Sequence, residues 1–212
     1  MSGSLKAITF PGPAGALEGV WKEPSGQAIG SALVAHPHPL HGGTLHNKVV
    51  FRAARALVAS GRGTLRFNFR GVGASEGRHD FGRGEVEDFR AALSEAQRRG
   101  GLPIVAGGFS FGAAAALKAI AGDARVTACI GIGLPVATES ALGLSRPGIP
   151  ALFLVGERDT FGPPGDLERF VAGSGRIVEV EGADHFFEGR LDALEEEIGR
   201  FLAELTLPVG AR

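Results

Sequence analysis

GGFSFGAAAALKAI, residues 107 to 120, is the stretch whose reading decides the fold. An apolar run, IVAGGF (104–109), leads directly into Gly108-Phe109-Ser110-Phe111-Gly112, and an alanine-rich segment follows at once. The pattern is G-x-S-x-G in the frame strand, tight turn, helix. A serine on such a turn has strained backbone angles, and its oxygen stands clear of the sheet. Side chains two residues to either side would collide with the turn, so glycine is needed at 108 and 112. Alanines at 113 to 116 let the helix lie close to the sheet, and its N-terminus brings partial positive charge beneath the serine. In a chain with 34 glycines the five-residue motif alone carries little weight. The flanking strand and helix make Ser110 the candidate nucleophile.

Similar apolar runs recur on both sides of this segment. SALVAH (31–36), TLRFNF (64–69), VTACIGIG (126–133), ALFLVG (151–156) and RIVEV (176–180) are short and often apolar on both faces, as strands buried in a parallel sheet are. LKAITF (5–10) and LEGVWK (17–22), joined by PGPAGA, read as an antiparallel pair leading into the sheet. Helical patterns fill the gaps. Thr44 is the expected cap of a helix running to Ser60, with Gly61 ending it. Glu85 to Arg99 has acids in its first turn and Arg98 and Arg99 in its last, matching the helix dipole. A final helix places Leu191, Leu194, Ile198, Phe201, Leu202 and Leu205 on one face. This alternation predicts one α/β domain over residues 1–212, with about eight mostly parallel strands and helices on both faces. The tail, Leu207 to Arg212, is expected to be loose.

A serine hydroxyl becomes a useful nucleophile when a base takes its proton and an acid orients that base. The strands after Ser110 deliver both at their C-terminal ends. ALFLVG runs into ERDTFG, which offers Glu157 and Asp159; RIVEV runs into EGADHFF, which offers Asp184 and His185. His185 is the single histidine beyond Ser110 and the candidate base. Asp159, deeper in its loop and with the shorter side chain, is the preferred acid, with Glu157 the alternative. Asp184 adjoins His185 and suits loop capping.

Four of the six histidines fall in HPHPLHGGTLH, residues 36 to 46. A His-x-His pair at a strand end is a known style of zinc ligand. Here the third ligand would have to be His41 or His46, no Asp, Glu or Cys lies nearby, and alternating prolines restrict how the rings converge. A different task suits the loop better. Acyl transfer builds negative charge on a substrate oxygen, and two fixed N–H donors stabilise it. Phe111, after the nucleophile, supplies one backbone N–H. The loop after an early strand supplies the other. Pro37 and Pro39 lack an N–H and stiffen the chain, which leaves the His38 backbone as first choice and Leu40 as the alternative. His36 is expected to brace the loop by a hydrogen bond.

Net charge is −1 with no basic block, which gives no reason to expect nucleic acid or anionic membrane as a partner. Cys129, the single cysteine, sits in an apolar run and reads as a buried hydrophobe. The N-terminus has no signal-peptide pattern and no window is apolar enough to span a bilayer, so the expected location is the cytoplasm. NFRGVGASEG (68–77) fails the dinucleotide fingerprint because Glu76 stands where its third glycine belongs; Arg70 there is expected to pair with an acid. Between VTACIGIG and ALFLVG there is no room for an inserted lid. An open cleft is expected, walled by Leu40, Phe109, Phe111, Leu134, Phe161 and Phe186.

HPHPLHGGTLHNK, LRFNFRGVGASEG, GGFSFGA and GADHFF together resemble the α/β-hydrolase superfamily. More narrowly, they are similar to a small lidless bacterial branch of carboxylesterase-like proteins related to dienelactone hydrolases. The resemblance spans roughly residues 5 to 205. It implies a Ser110–Asp159–His185 triad cleaving a small-molecule ester without metal or organic cofactor. Dienelactone hydrolases use a cysteine nucleophile where this chain has Ser110, so their substrate is not implied. Thioester or amide hydrolysis, acyl transfer, and a non-catalytic binding role on the same frame stand as alternatives.

Overall fold

The computed structural model describes residues 3–138 and 143–206; the tail expected to be loose lies outside them. Eight strands form one sheet in the order β1-β2-β4-β3-β5-β6-β7-β8. The strands are β1 (Leu5–Gly12), β2 (Gly15–Lys22), β3 (Ser31–Ala35), β4 (Gly63–Phe67), β5 (Ile104–Phe109), β6 (Val126–Ile132), β7 (Ala151–Gly156) and β8 (Arg176–Val180). β1 and β2 form the anticipated hairpin, and β2 joins β4 antiparallel. From β4 to β8 every pairing is parallel.

The continuous apolar runs follow from what covers the two faces. On one face Leu33, Leu65, Ala106, Cys129 and Phe153 pack beneath α2 (Arg83–Gly100), α3 (Phe111–Ile120) and α4 (Pro164–Val171). On the other, Ala32, Val34, Val105, Ile130, Leu152 and Leu154 pack beneath α1 (Lys48–Ala59) and α5 (Leu191–Thr206). Neighbouring residues of one strand thus enter different cores. Each fully buried leucine or phenylalanine contributes on the order of 1.5–3 kcal/mol.

One local expectation changes, and one helix is added. α1 is capped by Asn47, whose Oδ1 accepts from the N–H groups of Val49 (2.9 Å) and Val50 (3.4 Å). Thr44 shapes the preceding turn instead, its Oγ1 accepting from His46 N–H at 3.2 Å. Asn is the stronger cap of the two, and here it lies immediately before the first helical residue. α4 carries no clear sequence signal, since its eight residues include Pro164 and Gly165 and give too short a period. Arg70 finds its acid in Asp88, with Nε to Oδ2 at 2.9 Å and Nη2 to Oδ1 at 2.7 Å. Between β6 and β7 the described residues form no further strand or helix.

Candidate active site

Parallel strands deliver their following loops to one edge of the sheet, and that edge holds the candidate residues. Ser110 closes β5 with φ 55° and ψ −120°, the left-handed strain expected of the turn. Its N–H donates to Ile132 O at 2.8 Å, tying the turn to the end of β6. The two flanking glycines are sterically required. A Cβ on Gly108 would lie 2.3 Å from the Gly112 carbonyl carbon, and one on Gly112 would lie 2.4 Å from His36 O.

His185, in the loop after β8, faces Ser110 with Nε2 2.9 Å from Oγ. Its Nδ1 lies 2.8 Å from Asp159 Oδ2. A proton on Nδ1, donated to the carboxylate, leaves Nε2 as the acceptor that faces the hydroxyl. Asp159 is buried at 3% exposure, and its second oxygen accepts from the N–H groups of Phe161 (2.9 Å) and Gly162 (3.1 Å). Both oxygens are therefore fixed. Glu157 points away and accepts from Gly182 N–H at 2.7 Å, joining the loops after β7 and β8. Asp184 caps its own loop, accepting from Phe186 N–H (3.0 Å) and Glu188 N–H (3.2 Å).

The histidine loop is braced from below. His36, fully buried, donates from Nδ1 to Pro37 O (2.7 Å) and accepts at Nε2 from Phe69 N–H (3.1 Å). Burial lowers its pKa to about 4. The next residues form a short 3-10 turn, Pro39–His41. His38 Nδ1 accepts from Leu40 N–H at 3.2 Å, and His38 O accepts from His41 and Gly43 N–H, both at 3.1 Å. The N–H groups of His38 and Phe111 have no acceptor among the described residues. The rings of His38 and His41 stack at 4.5 Å with 22° between planes, so their nitrogens do not converge on a common point. Among the described residues no group of three or more His, Cys, Asp or Glu side chains is placed to hold a metal ion.

The expected walls divide into rim and support. Leu40, Phe161 and Phe186 are exposed at the edge, with the Phe161 and Phe186 rings 4.6 and 5.3 Å from the His185 ring. Phe109, Phe111 and Leu134 are buried and do not form an open wall. Phe109 lies against the His185 ring at 5.2 Å. The Phe111 ring turns inward between Phe69 and His38. The sequence reading missed Phe81, the most exposed large apolar residue of the described chain, and His79, whose ring lies 5.1 Å from that of His38. His79 Nδ1 lies 2.8 Å from Glu85, a wholly buried carboxylate that also accepts from Asp80 and Gly82 N–H. Both sit in GRHDFGRG, where no periodicity points to a face.

No protein-family model matches the chain. A curated but uncharacterized protein of Rickettsia prowazekii is 34% identical over 211 residues, 93% of this chain and 89% of its own. A solved structure of an α/β serine hydrolase homologue from Coxiella burnetii is 40% identical, covers 92% of this chain and 96% of its own, and superposes with a TM-score of 0.85. An α/β serine hydrolase without lid from Xanthomonas campestris is 30% identical, covers 97% of each chain and has a TM-score of 0.87. With this fold, and with likeness along almost the whole length, the chain belongs to the α/β serine hydrolases, in the branch that carries no lid.

Proposed function

We propose that the protein is a carboxylesterase that cleaves esters of short to medium acyl chains through an acyl-enzyme. The observation that carries this reading is the hydrogen-bonded line from Ser110 Oγ through His185 to Asp159, at 2.9 and 2.8 Å. His185 Nε2 takes the hydroxyl proton as Oγ attacks the ester carbonyl carbon. Asp159 holds the ring in the required tautomer and stabilises the imidazolium. The carbonyl oxygen, now negative, is held by the backbone N–H groups of Phe111 and His38, each worth about 2.7–4 kcal/mol in comparable sites. The choice of His38 over Leu40 is supported by the Leu40 N–H being engaged by the His38 ring. The intermediate collapses, the ester C–O bond breaks, and the proton on Nε2 passes to the departing alcohol. Water then attacks the acyl-enzyme with the same base and returns Ser110 with the free acid.

The exposed rim of Leu40, Phe161 and Phe186 favours modest apolar acyl groups at an open edge. The test is hydrolysis of p-nitrophenyl butyrate together with labelling by a fluorophosphonate. Both are expected for the parent and neither for Ser110→Ala. Full activity in the variant, or a folded parent that neither turns over nor labels, rejects the reading. Activity is expected to be unchanged by a chelator, because no step requires a metal.

A further inference from the structure

On the α1 face of the sheet, away from Ser110, the edge strands outrun their helical cover. Register sets Lys22 opposite Thr64 and Val20 opposite Arg66, so these side chains share the face that α1 covers only in part. The gap is a cavity of about 590 Å³. Leu5, Phe51, Ala54 and Val58 give it apolar walls, and Lys22 and Arg66 lie on its floor. Phe51 and Val58 stand seven steps apart on the helix, about 10 Å of wall.

Arg66 sets the chemistry of the site. It is only 8% exposed, yet no carboxylate among the described residues lies within ion-pair distance of it. A buried guanidinium is ordinarily paired. Here one nitrogen, Nη1, donates to Leu45 O at 2.8 Å, and the guanidinium carbon lies over the Phe51 ring, 5.3 Å from its centroid. Its Nε and Nη2 make no hydrogen bond to a described residue, and the planar fork of a guanidinium meets a carboxylate two-pronged. The carboxylate that borders the cavity, Glu195, is already held by Arg52 (3.1 Å) and Arg55 (3.3 Å). A charge-bearing floor beneath an apolar wall suits a ligand with one anionic end and a hydrocarbon body.

We infer that this cavity is a second, non-catalytic binding site for a monocarboxylate with an apolar chain, its carboxylate on Arg66 and its chain along Phe51, Ala54 and Val58. The site does not depend on the esterase reading. Its contact with Leu45 O connects it to the loop that carries His38.

The test is calorimetric titration of octanoate into the Ser110→Ala protein, with octan-1-ol as the uncharged comparison. Octanoate is expected to bind and octanol to bind at least roughly tenfold more weakly, since a charged hydrogen-bonded pair is lost. Arg66→Met removes the charge, and Val58→Trp, at a half-buried wall position, narrows the cavity while keeping Arg66 and its charge. Both are expected to weaken octanoate binding at least roughly tenfold while circular dichroism stays that of the parent. Should Arg66→Met fail to fold, Val58→Trp decides. No octanoate binding at millimolar concentration, equal binding of octanol, or octanoate binding unchanged in Val58→Trp overturns the proposal.

Discussion

Asp159 and Glu157 both follow β7, and the backbone N–H groups each accepts separate their roles. Asp159 has one oxygen on Phe161 and Gly162 and the other on His185. Glu157 is committed to Gly182. If Asp159 sets the tautomer of His185, Asp159→Asn lowers kcat by about 10⁴, while Glu157→Gln leaves it near the parent value. Steady-state rates on p-nitrophenyl butyrate check this, and comparable losses in the two variants would reject the assignment. His36 makes a prediction of the opposite kind, about stability. Burial disfavours its charged form and lowers its pKa from 6.5 to about 4, against the opposing hydrogen bond to Pro37 O. The unfolded chain therefore binds the proton first. Stability from this residue is whole above pH 6.5, falls as pH drops toward 4, and is level below that. The loss is roughly 3 kcal/mol. Urea midpoints at pH 7 and 4.5 are expected to drop further for the parent than for His36→Gln. Equal drops would mean that His36 is not the group responsible.

At the scale of single elements, the turn at Ser110 and the helix α5 use glycine for contrasting reasons. Gly108 has no space for a Cβ, with the Gly112 backbone 2.3 Å away. Gly199, inside α5, would meet nothing within 4 Å and has ordinary helical φ. Gly108→Ala is expected to destabilise by about 3 kcal/mol or more through overpacking. Gly199→Ala is expected to stabilise by about 0.5–1 kcal/mol through lower unfolded-state entropy. Thermal melts of the two variants check both signs. This contrast also shows what was legible beforehand. The turn could be read because its constraint is local: five residues must fit one corner, and only glycine fits at two of them. His185 and Asp159 could be read because each closes an apolar run. The cap of α1 differs from the expectation because Thr44 and Asn47 are both capable caps, Asn the stronger, and the choice depends on where the turn before the helix ends. Phe81 and His79 were missed because they belong to a glycine-rich loop whose path is set by Glu85 and Asp88. Glu85 stands in the first turn of α2, as the dipole pattern predicts, but it and Asp88 are also wholly buried and hold the loop, which charge patterning does not reveal.

For the molecule as a whole, the register of the sheet brings separate loops together at one candidate site. Ala35 pairs with Gly108, Phe109 with Ile132 and Gly156 with Val180, so the strands preceding the histidine loop, Ser110, Asp159 and His185 end nearly level. Registers of this kind are long-range and cannot be read from any one segment, although the alternation of apolar runs and helices was enough to predict the layers. The same topology decides how substrate arrives. Larger α/β enzymes place a closing domain between the strands that correspond to β6 and β7, whereas here that connection adds no further strand or helix among its described residues. The rim residues Leu40, Phe161 and Phe186 are exposed without any rearrangement. A site that is already open gains nothing from a lipid–water boundary. The hydrolysis rate of tributyrin is therefore expected to follow a smooth saturating curve through its solubility limit, measured by titrating released acid. A sharp rise at that limit would mean that some segment covers the site in water and withdraws at the interface, and the connection between β6 and β7 would be the first place to seek it.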